Sequence, residues 1–584
     1  MDSLIGWLHP VLALVIPFAL SIPVGWWMFR TLDPPEDRIG RGADALPLAL
    51  MRALGCRGPR AMGWRQYAVA FLAFNLALFV IAFLLLSLQP YLPFNPDGKG
   101  SLAALGYKDS QGIDHPAADT ALIFNTVCSF VTNTNLQHYS GEQHLSYFSQ
   151  LGVIVWLQFV TPAAGLAVML ATLRGLRGDR HMGDFALDLL RSLIFVFVPG
   201  SLILALVLVA CGIPMTFEGS VQAQPLDATA TGIETQSIAR GPVAALVAIK
   251  QLGTNGGGFF GPNSTHPYEN PTPWSNLAEL VSIVLLPMAS LVMAGLMLRN
   301  RKHAAVIYGV MLALLIVGIV AAVIAEIRPN PAAAGLAIAS GPNMEGTEVR
   351  TGPVAAATWA AVTTATSNGS VNAMHDSLNS LAGLVPMANM MLNVVFSGIG
   401  AGFENMLMYI IVAVFLAGLM VGRTPEYLGK KVEAKEVKLA MLVVLIHPLL
   451  ILAGAGLFAA SPFGSTTVAN PGPHGFSEIL YEFSSAAANN GSGFEGLSDN
   501  TPAWNVATGI VLLLGRFPAL VIPLAIAGAL AVKKPVPQTS GTLRTDDLTF
   551  AGMLLGTVLL VGALSFMPAV VLGPVADHLR TLAN

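Results

Sequence analysis

Charge is what this 584-residue chain has least of: only 11% of its residues are Asp, Glu, Lys or Arg, against roughly 25% in soluble domains. With 54% hydrophobic residues and a positive mean hydropathy, a water-soluble fold would lack a polar skin, so a bilayer is the solvent this composition demands. The net charge of −3 leaves no basic surface for nucleic acid. Cysteine is scarce too. Cys56, Cys128 and Cys211 stand far apart without metal-ligand spacing and read as small apolar core residues. Nucleotide chemistry has no foothold: there is no Gly-x-x-x-x-Gly-Lys-Ser/Thr loop, no His-Glu-x-x-His and no Asp-Lys-Thr-Gly. The inside loops are also too short for a nucleotide domain. The chain is therefore expected to be no enzyme by itself and to bind no nucleotide. A cleavable signal is not expected either. Met1-Asp2-Ser3 is acidic, no small-residue cleavage site precedes Arg30, and the first apolar run reads as a retained span with its N-terminus outside.

What is present is a succession of apolar runs, each able to cross roughly 30 Å of hydrocarbon. They fall near 4–29, 67–89, 150–173, 190–211, 277–298, 304–326, 383–421, 438–459, 505–530 and 549–572. The expected fold is an all-α polytopic membrane protein of about ten transmembrane helices, one membrane domain over 1–584. The seventh run is too long for one crossing and carries Ser397-Gly398-Ile399-Gly400-Ala401-Gly402 in its middle, which predicts two half-helices joined by an unwound turn. Most of the 30 Lys and Arg residues fall on one side of this topology, in groups such as Arg38 to Arg65 (with Arg41 and Arg57), Arg174 to Arg180, Arg299 to Lys302 and Arg423 to Lys438. That asymmetry obeys the positive-inside rule. The outer segment 460–504 has no Lys or Arg, but has Glu478, Glu482, Glu495 and Asp499, an acidic vestibule for an approaching cation.

Self-comparison shows four outer segments of one pattern, each a half-length apolar stretch that turns polar. The first runs from Phe124 through Cys128 to Thr132-Asn133-Thr134-Asn135, with Gln137 just beyond. The second runs from Ala248 to Thr254-Asn255-Gly256-Gly257, the third from Ala361 to Ser367-Asn368-Gly369-Ser370, and the fourth from Phe483 to Asn489-Asn490-Gly491-Ser492. Aligned on 132, 254, 367 and 489, they put Thr134 where the others have glycine. The pattern predicts four pseudo-repeats of span, short pore helix, loop and span at 66–175, 189–299, 303–422 and 437–531, with additional spans at 1–30 and 548–584.

Irregular backbone at membrane depth survives only inside protein or around a water-filled cavity. Glycine and asparagine tolerate positive φ, so successive carbonyls can share a direction. Four such strands on one axis would make rings of oxygens that replace an ion's hydration shell, with Gln137 able to add an amide oxygen. Short helices aiming their negative C-terminal ends at the centre favour a cation. Rings without carboxylates suit a monovalent ion, potassium foremost, over calcium or magnesium. All seventeen loop residues just named, Gln137 included, are the candidate ion ligands. The competing reading is four ordinary polar turns in outer loops, which the near-equal spacing makes improbable. A carrier with inverted repeats predicts two halves of opposite topology, which four like-oriented loops do not match.

These residues resemble the potassium-binding subunit family, KdpA, of the Kdp potassium-transporting ATPases. The resemblance lies in Thr132-Asn-Thr-Asn-Leu-Gln137, in Leu252 to Phe260 with His266-Pro-Tyr-Glu-Asn-Pro271, in Ser367 to Asp376 and in Ala488 to Phe494. Gly422 to Lys431 and Asn343 to Glu348 also match, so nearly the whole chain is covered. The resemblance implies a bacterial inner-membrane subunit that takes potassium from outside. It would pass the ion to a separate P-type ATPase subunit, KdpB, with KdpC and a small accessory subunit completing the complex. The alternative, a stand-alone potassium channel or symporter, would use the same pore chemistry. The broken seventh span resembles the family's gating loop below the filter, which makes Gly398, Gly400, Gly402 and Arg516 gating or coupling candidates.

Three buried-looking charges stand out. Arg516, deep in the ninth run, costs a few kcal/mol on insertion scales. It reads either as an electrostatic barrier below the loops or as a partner for helix-end carbonyls. Lys250 offsets its helix's C-terminal charge or snorkels, or else regulates admission of the ion. Glu404 pairs with Arg516, senses the ion, or faces a wet cavity. His266, His375 and His474 lack a shared helical spacing and read as surface or capping residues.

Overall fold

The computed structural model describes residues 2–34, 44–56, 58–104, 106–108, 114–115, 120–226, 232, 235–333, 341–422, 424–536 and 543–583. Arg38, Arg41, Arg57 and Arg423, four of the basic residues assigned to inside loops, lie outside these. Ten helices among the described residues are long and apolar enough to cross a membrane. They are Trp7–Leu32, Trp64–Ser87, Ser149–Arg177, Phe185–Ala210, Pro273–Met297, Arg301–Glu326, Ala401–Met420, Ala434–Ala459, Pro502–Ala531 and Leu548–Leu582. Each coincides with one of the ten runs, so the all-helical polytopic fold is borne out.

On either side of each polar loop, burial separates a more buried inner span from a less buried outer one. The spans that follow the four polar loops are the third, fifth, seventh and ninth, and they bury 89%, 83%, 72% and 44% of their apolar windows. Those that precede the loops are the second, fourth, sixth and eighth, and they bury 28%, 28%, 44% and 28%. Lipid solvates an apolar side chain as well as protein does, so outer spans need no polar face. The first span lies along the fifth, where Gly25 admits the Ala289 carbonyl and His9 Nε2 meets Asn276 Nδ2 at 2.6 Å.

Local chemistry sets the starts of two inner spans. The fifth opens on Thr272-Pro273 and the ninth on Thr501-Pro502. In each, the threonine hydroxyl accepts the backbone N–H three residues on (Ser275, 3.1 Å; Trp504, 3.3 Å), and proline occupies the first helical position. Three two-stranded ribbons, Tyr107–Lys108 with Asp114–His115, Val221–Ala223 with Gln236–Ile238, and Glu426–Tyr427 with Lys430–Lys431, were not foreseen. The basic residues include buried pairs rather than free surface charges: Arg174 with Asp188 at 2.6 Å and Arg191 with Asp44 at 2.8 Å.

Candidate functional site

Four short helices, Ala121–Val131, Val243–Leu252, Gly352–Ala365 and Pro473–Ala488, end at the four polar loops. A shared bond fixes their register. The N–H groups of Thr134, Asn255, Asn368 and Asn490 each donate to the carbonyl five residues earlier, at Ser129, Lys250, Thr363 and Ser485, all at 2.9 Å. On either side of these four residues the backbone takes positive φ: Asn133 and Asn135, Thr254 and Gly256, Ser367 and Gly369, Asn489 and Gly491. The register expected for the first loop is therefore one residue off. Thr134 occupies the asparagine position of the other loops, and Asn135 (φ 58°) the glycine position. Asparagine can fill it because its short amide tolerates the left-handed region. Thr132 is left behind as the helix cap, its hydroxyl donating to the Cys128 carbonyl at 2.8 Å.

The loops close on one another in a ring. A Cβ on Gly256 would sit 2.0 Å from the Asn368 carbonyl oxygen, one on Gly369 would sit 2.1 Å from that of Asn490, and one on Gly491 would sit 2.0 Å from that of Thr134. Second thus abuts third, third abuts fourth, and fourth abuts first. The first joins the second through side chains. Asn133 Nδ2 donates to the Thr254 carbonyl at 3.0 Å, Asn135 Nδ2 to that of Gly256 at 3.0 Å, and Asn255 Nδ2 to Asn133 Oδ1 at 2.5 Å. Gln137 completes this seam. Its Oε1 accepts from Gly258 N at 2.8 Å while its Nε2 donates to Gly258 O at 3.1 Å. The amide oxygen expected as an extra ligand is thus committed to holding two loops together.

The same accounting commits the amide oxygens of Asn368 and Asn490 but leaves the buried Asn135 and Asn255 side-chain oxygens without a donor among the described residues. Asn368 Oδ1 accepts from Ser370 N and Oγ, and its Nδ2 donates to the Lys250 carbonyl at 2.9 Å. Asn490 Oδ1 accepts from Ser492 N and Oγ, and its Nδ2 donates to the Thr363 carbonyl at 3.0 Å. These amides tie the third and fourth loops to the end of a neighbouring short helix. Gly257 extends the second loop at positive φ, against Asn135. By contrast, the buried backbone carbonyls of Thr134, Asn255, Asn368 and Asn490 accept no hydrogen bond among the described residues. Buried carbonyls are nearly always paired.

On one side of the ring lies a cavity of about 420 Å³, bordered by Asn135, Gln137, Gly257, Gly369, Gly491 and Ser492 of the loops and by Glu495 and Asp499. Only these two of the four acids expected in a vestibule reach it. Glu478 accepts the N–H groups of Ala469 and Asn470, and Glu482 turns to His138. The Glu495 and Asp499 carboxyls both reach the cavity, Glu495 the more exposed, and the surrounding protein raises both above the usual carboxylate range. Lys250 neither snorkels nor faces the cavity. It is buried, paired with Glu269 and bonded to Asn263 Oδ1 at 2.7 Å, and Glu269 in turn accepts Phe260 N at 2.8 Å. Breaking such a buried pair costs about 3–5 kcal/mol. The sequence reading attached no role to His138. Its one available signal was position, next to Gln137 and level with the outer acids.

On the opposite side the seventh run breaks between Ser380–Leu392 and Ala401–Val421. Asn393, Phe396, Gly398 and Gly400 all have positive φ in the break. The turn hangs from the loops: Gly398 N donates to the Thr366 carbonyl at 2.6 Å, Ile399 N to Thr254 Oγ1 at 3.2 Å, and the Ser397 and Ser367 hydroxyls meet at 2.8 Å. Gly400 lets the turn approach the third span, where a Cβ would lie 2.4 Å from the Gly165 carbonyl. Gly402 belongs instead to the first helical turn, where a Cβ would collide with the Ser397 carbonyl at 2.1 Å. The buried guanidinium of Arg516 reaches the same turn: Cβ atoms built on Gly165 and Gly398 would lie 3.1 and 3.9 Å from it. Glu404 is fully buried beside Thr172 and is not paired with Arg516; it has no cationic partner among the described residues.

The family described as KdpA, potassium-transporting ATPase A subunit, matches residues 11–579 of the chain. Among solved structures, the crystal structure of the potassium transporter TrkH from Vibrio parahaemolyticus aligns over 88% of this chain and 97% of that one, at 12% identity and a TM-score of 0.49.

Proposed function

The chain belongs to the KdpA family, the A subunits of potassium-transporting ATPases, and from that premise we propose that its four loops form the filter that selects potassium for an ATP-driven uptake pump. The observation that carries this reading is the ring of buried backbone carbonyls at Thr134, Asn255, Asn368 and Asn490, which no donor among the described residues satisfies. Such oxygens can replace the water around a dehydrated monovalent cation. The four short helices end at this ring and bias it toward positive charge.

In this reading the cavity bordered by Glu495 and Asp499 faces outside, the N-terminus is outside, and the membrane is the bacterial inner membrane. The basic loops then face the cytoplasm. An ion leaving the ring meets the turn at 393–400 with Arg516 beside it. The turn restricts the path, and the guanidinium repels a cation until the turn moves. The ion then passes to a separate P-type ATPase subunit, KdpB, in a complex with KdpC and a small accessory subunit. This chain contributes no nucleotide site. The unit of the design is the repeat, divided at 66–175, 189–299, 303–422 and 437–531.

Gly256→Ala and Gly491→Ala test it. Each methyl would press on a ring carbonyl from a backbone already at positive φ. The expected outcome in rubidium uptake competed by potassium and sodium is weaker potassium affinity, by about tenfold or more, and poorer rejection of sodium. Unchanged uptake and competition in both variants would count against the filter.

A further inference from the structure

We infer that His138, Glu482 and Asp499 form a zinc-class divalent cation site in the wall of the outer cavity, and that its occupancy slows potassium admission. The three residues come from different elements around the seam between the first and fourth loops. His138 follows the first loop, Glu482 lies on the short helix before the fourth, and Asp499 follows the fourth. Their ligand atoms lie within 4.8 Å of one another. His138 Nε2 is 3.3 Å from Glu482 Oε1 and 3.7 Å from Asp499 Oδ2. Ligands held about 2.0–2.2 Å from a tetrahedral centre stand roughly 3.4 Å apart, so a small metal fits between them with little movement.

The other ring nitrogen fixes the ligand's orientation. His138 Nδ1 lies 2.8 Å from Asn505 Oδ1, and Asn505 Nδ2 donates to Asn500 Oδ1 at 3.1 Å, which orients the amide with its oxygen toward the imidazole. Nδ1 therefore keeps its hydrogen, and Nε2 is the atom presented to the two carboxylates. A histidine that donates through one nitrogen to a fixed oxygen while the other binds is the usual supporting arrangement of a metal ligand. His474 makes a useful contrast. It too sits among carboxylates, but its two nitrogens face Asp376 and Asp577, each at 3.0 Å, so neither is spare.

His138 and Glu482 are buried, while Asp499 borders the cavity and is partly exposed. A cation thus reaches the site from the cavity, and the fourth coordination position opens toward it. Imidazole with two carboxylates suits zinc better than magnesium or calcium, which prefer all-oxygen shells. Without metal and with both carboxyls ionised, an imidazolium between two carboxylates carries a net charge of −1. A divalent cation displaces the Nε2 proton and brings the cluster to zero. The cavity wall then attracts potassium less, and the first and fourth loops are cross-linked above the ring. This effect on transport rests on the reading of the cavity as the ion's approach, but the binding does not.

Zinc chloride is titrated calorimetrically into the full chain purified in mild detergent, and rubidium uptake by cells that depend on this chain is measured with and without zinc. The expected result is one zinc bound per chain, lost in His138→Ala and in the milder Asp499→Asn. With it should come a zinc-dependent rise of about two- to threefold in the rubidium concentration for half-maximal uptake, absent in Asp499→Asn. Binding that persists in both variants, absence of binding to the unmodified chain, or uptake indifferent to bound zinc would each overturn the inference. If uptake showed no potassium selectivity while zinc still bound, the filter reading would fail and the metal site would stand.

Discussion

Asparagine has two uses around the ring, and Asn133 and Asn135 serve both, since their amides also join the first loop to the second. At Asn133, Asn135 and Asn489 it supplies backbone at positive φ. At Asn368 and Asn490 it supplies an amide that ties one loop to the next helix end. The sequence shows where asparagines fall but not which of these uses each one serves. Thr132 and Thr254 look alike in the chain, and aligning them shifted the first loop by one position; the shared backbone bond and the φ values of Asn133 and Asn135 reveal the match with Thr254 and Gly256. Gln137 misled for a similar reason, since an amide near an ion site can as well bind Gly258 as an ion. The acids of the cavity carry a pH prediction. The protein around them raises the Glu495 and Asp499 carboxyls above the usual carboxylate range although both reach the cavity, so each gains its charge at a higher pH than a free carboxyl does. His138, held up to about 9 by Asp499 and Glu482 against its burial, stays cationic as they ionise. The wall therefore gains negative charge between pH 6 and 9 (roughly the span of these groups), and potassium affinity measured by uptake should rise with pH. Glu495→Gln should remove the upper part of that rise; a profile identical to the unmodified chain would show that Glu495 does not face the ion's path.

At the scale of elements, the half-length helices and the broken seventh run were legible, because too few apolar residues before a polar loop, and too many around a glycine cluster, both violate the length of a plain span. The limits of the break were not legible. The turn begins at Asn393 rather than at Ser397, since a left-handed asparagine can end a helix as glycine does. Gly402 serves close packing against the Ser397 carbonyl, within a helix. Lys250 could not be placed from sequence either, because its partner Glu269 lies beyond the loop and meets it only once the segment folds back. Arg516 is the element-scale test of the gate. It touches the turn without a salt bridge among the described residues, so removing it leaves no orphaned carboxylate. Arg516→Ala should insert and fold, with melting within a few degrees of the unmodified chain, while ion flux per ATP hydrolysed by the complex changes severalfold. A variant that fails to accumulate in the membrane would assign the arginine to structure alone.

For the whole molecule, the order of ten spans followed from hydropathy because the bilayer leaves few alternatives to helices. The inner and outer shells were not read from the sequence, although in each pair the span before the loop is the more apolar of the two. Three small ribbons were also hidden, each too short for any alternation to register. What the shells accomplish is to bring four loops, far apart in sequence, to one ring whose carbonyls have no donor among the described residues. That ring is most directly tested by diffraction from crystals of the protein grown in rubidium, with data collected at the rubidium absorption edge. The account predicts an anomalous peak on the axis, equidistant from the carbonyl oxygens of Thr134, Asn255, Asn368 and Asn490. A peak elsewhere, with none inside that ring at rubidium concentrations that saturate uptake, would contradict it.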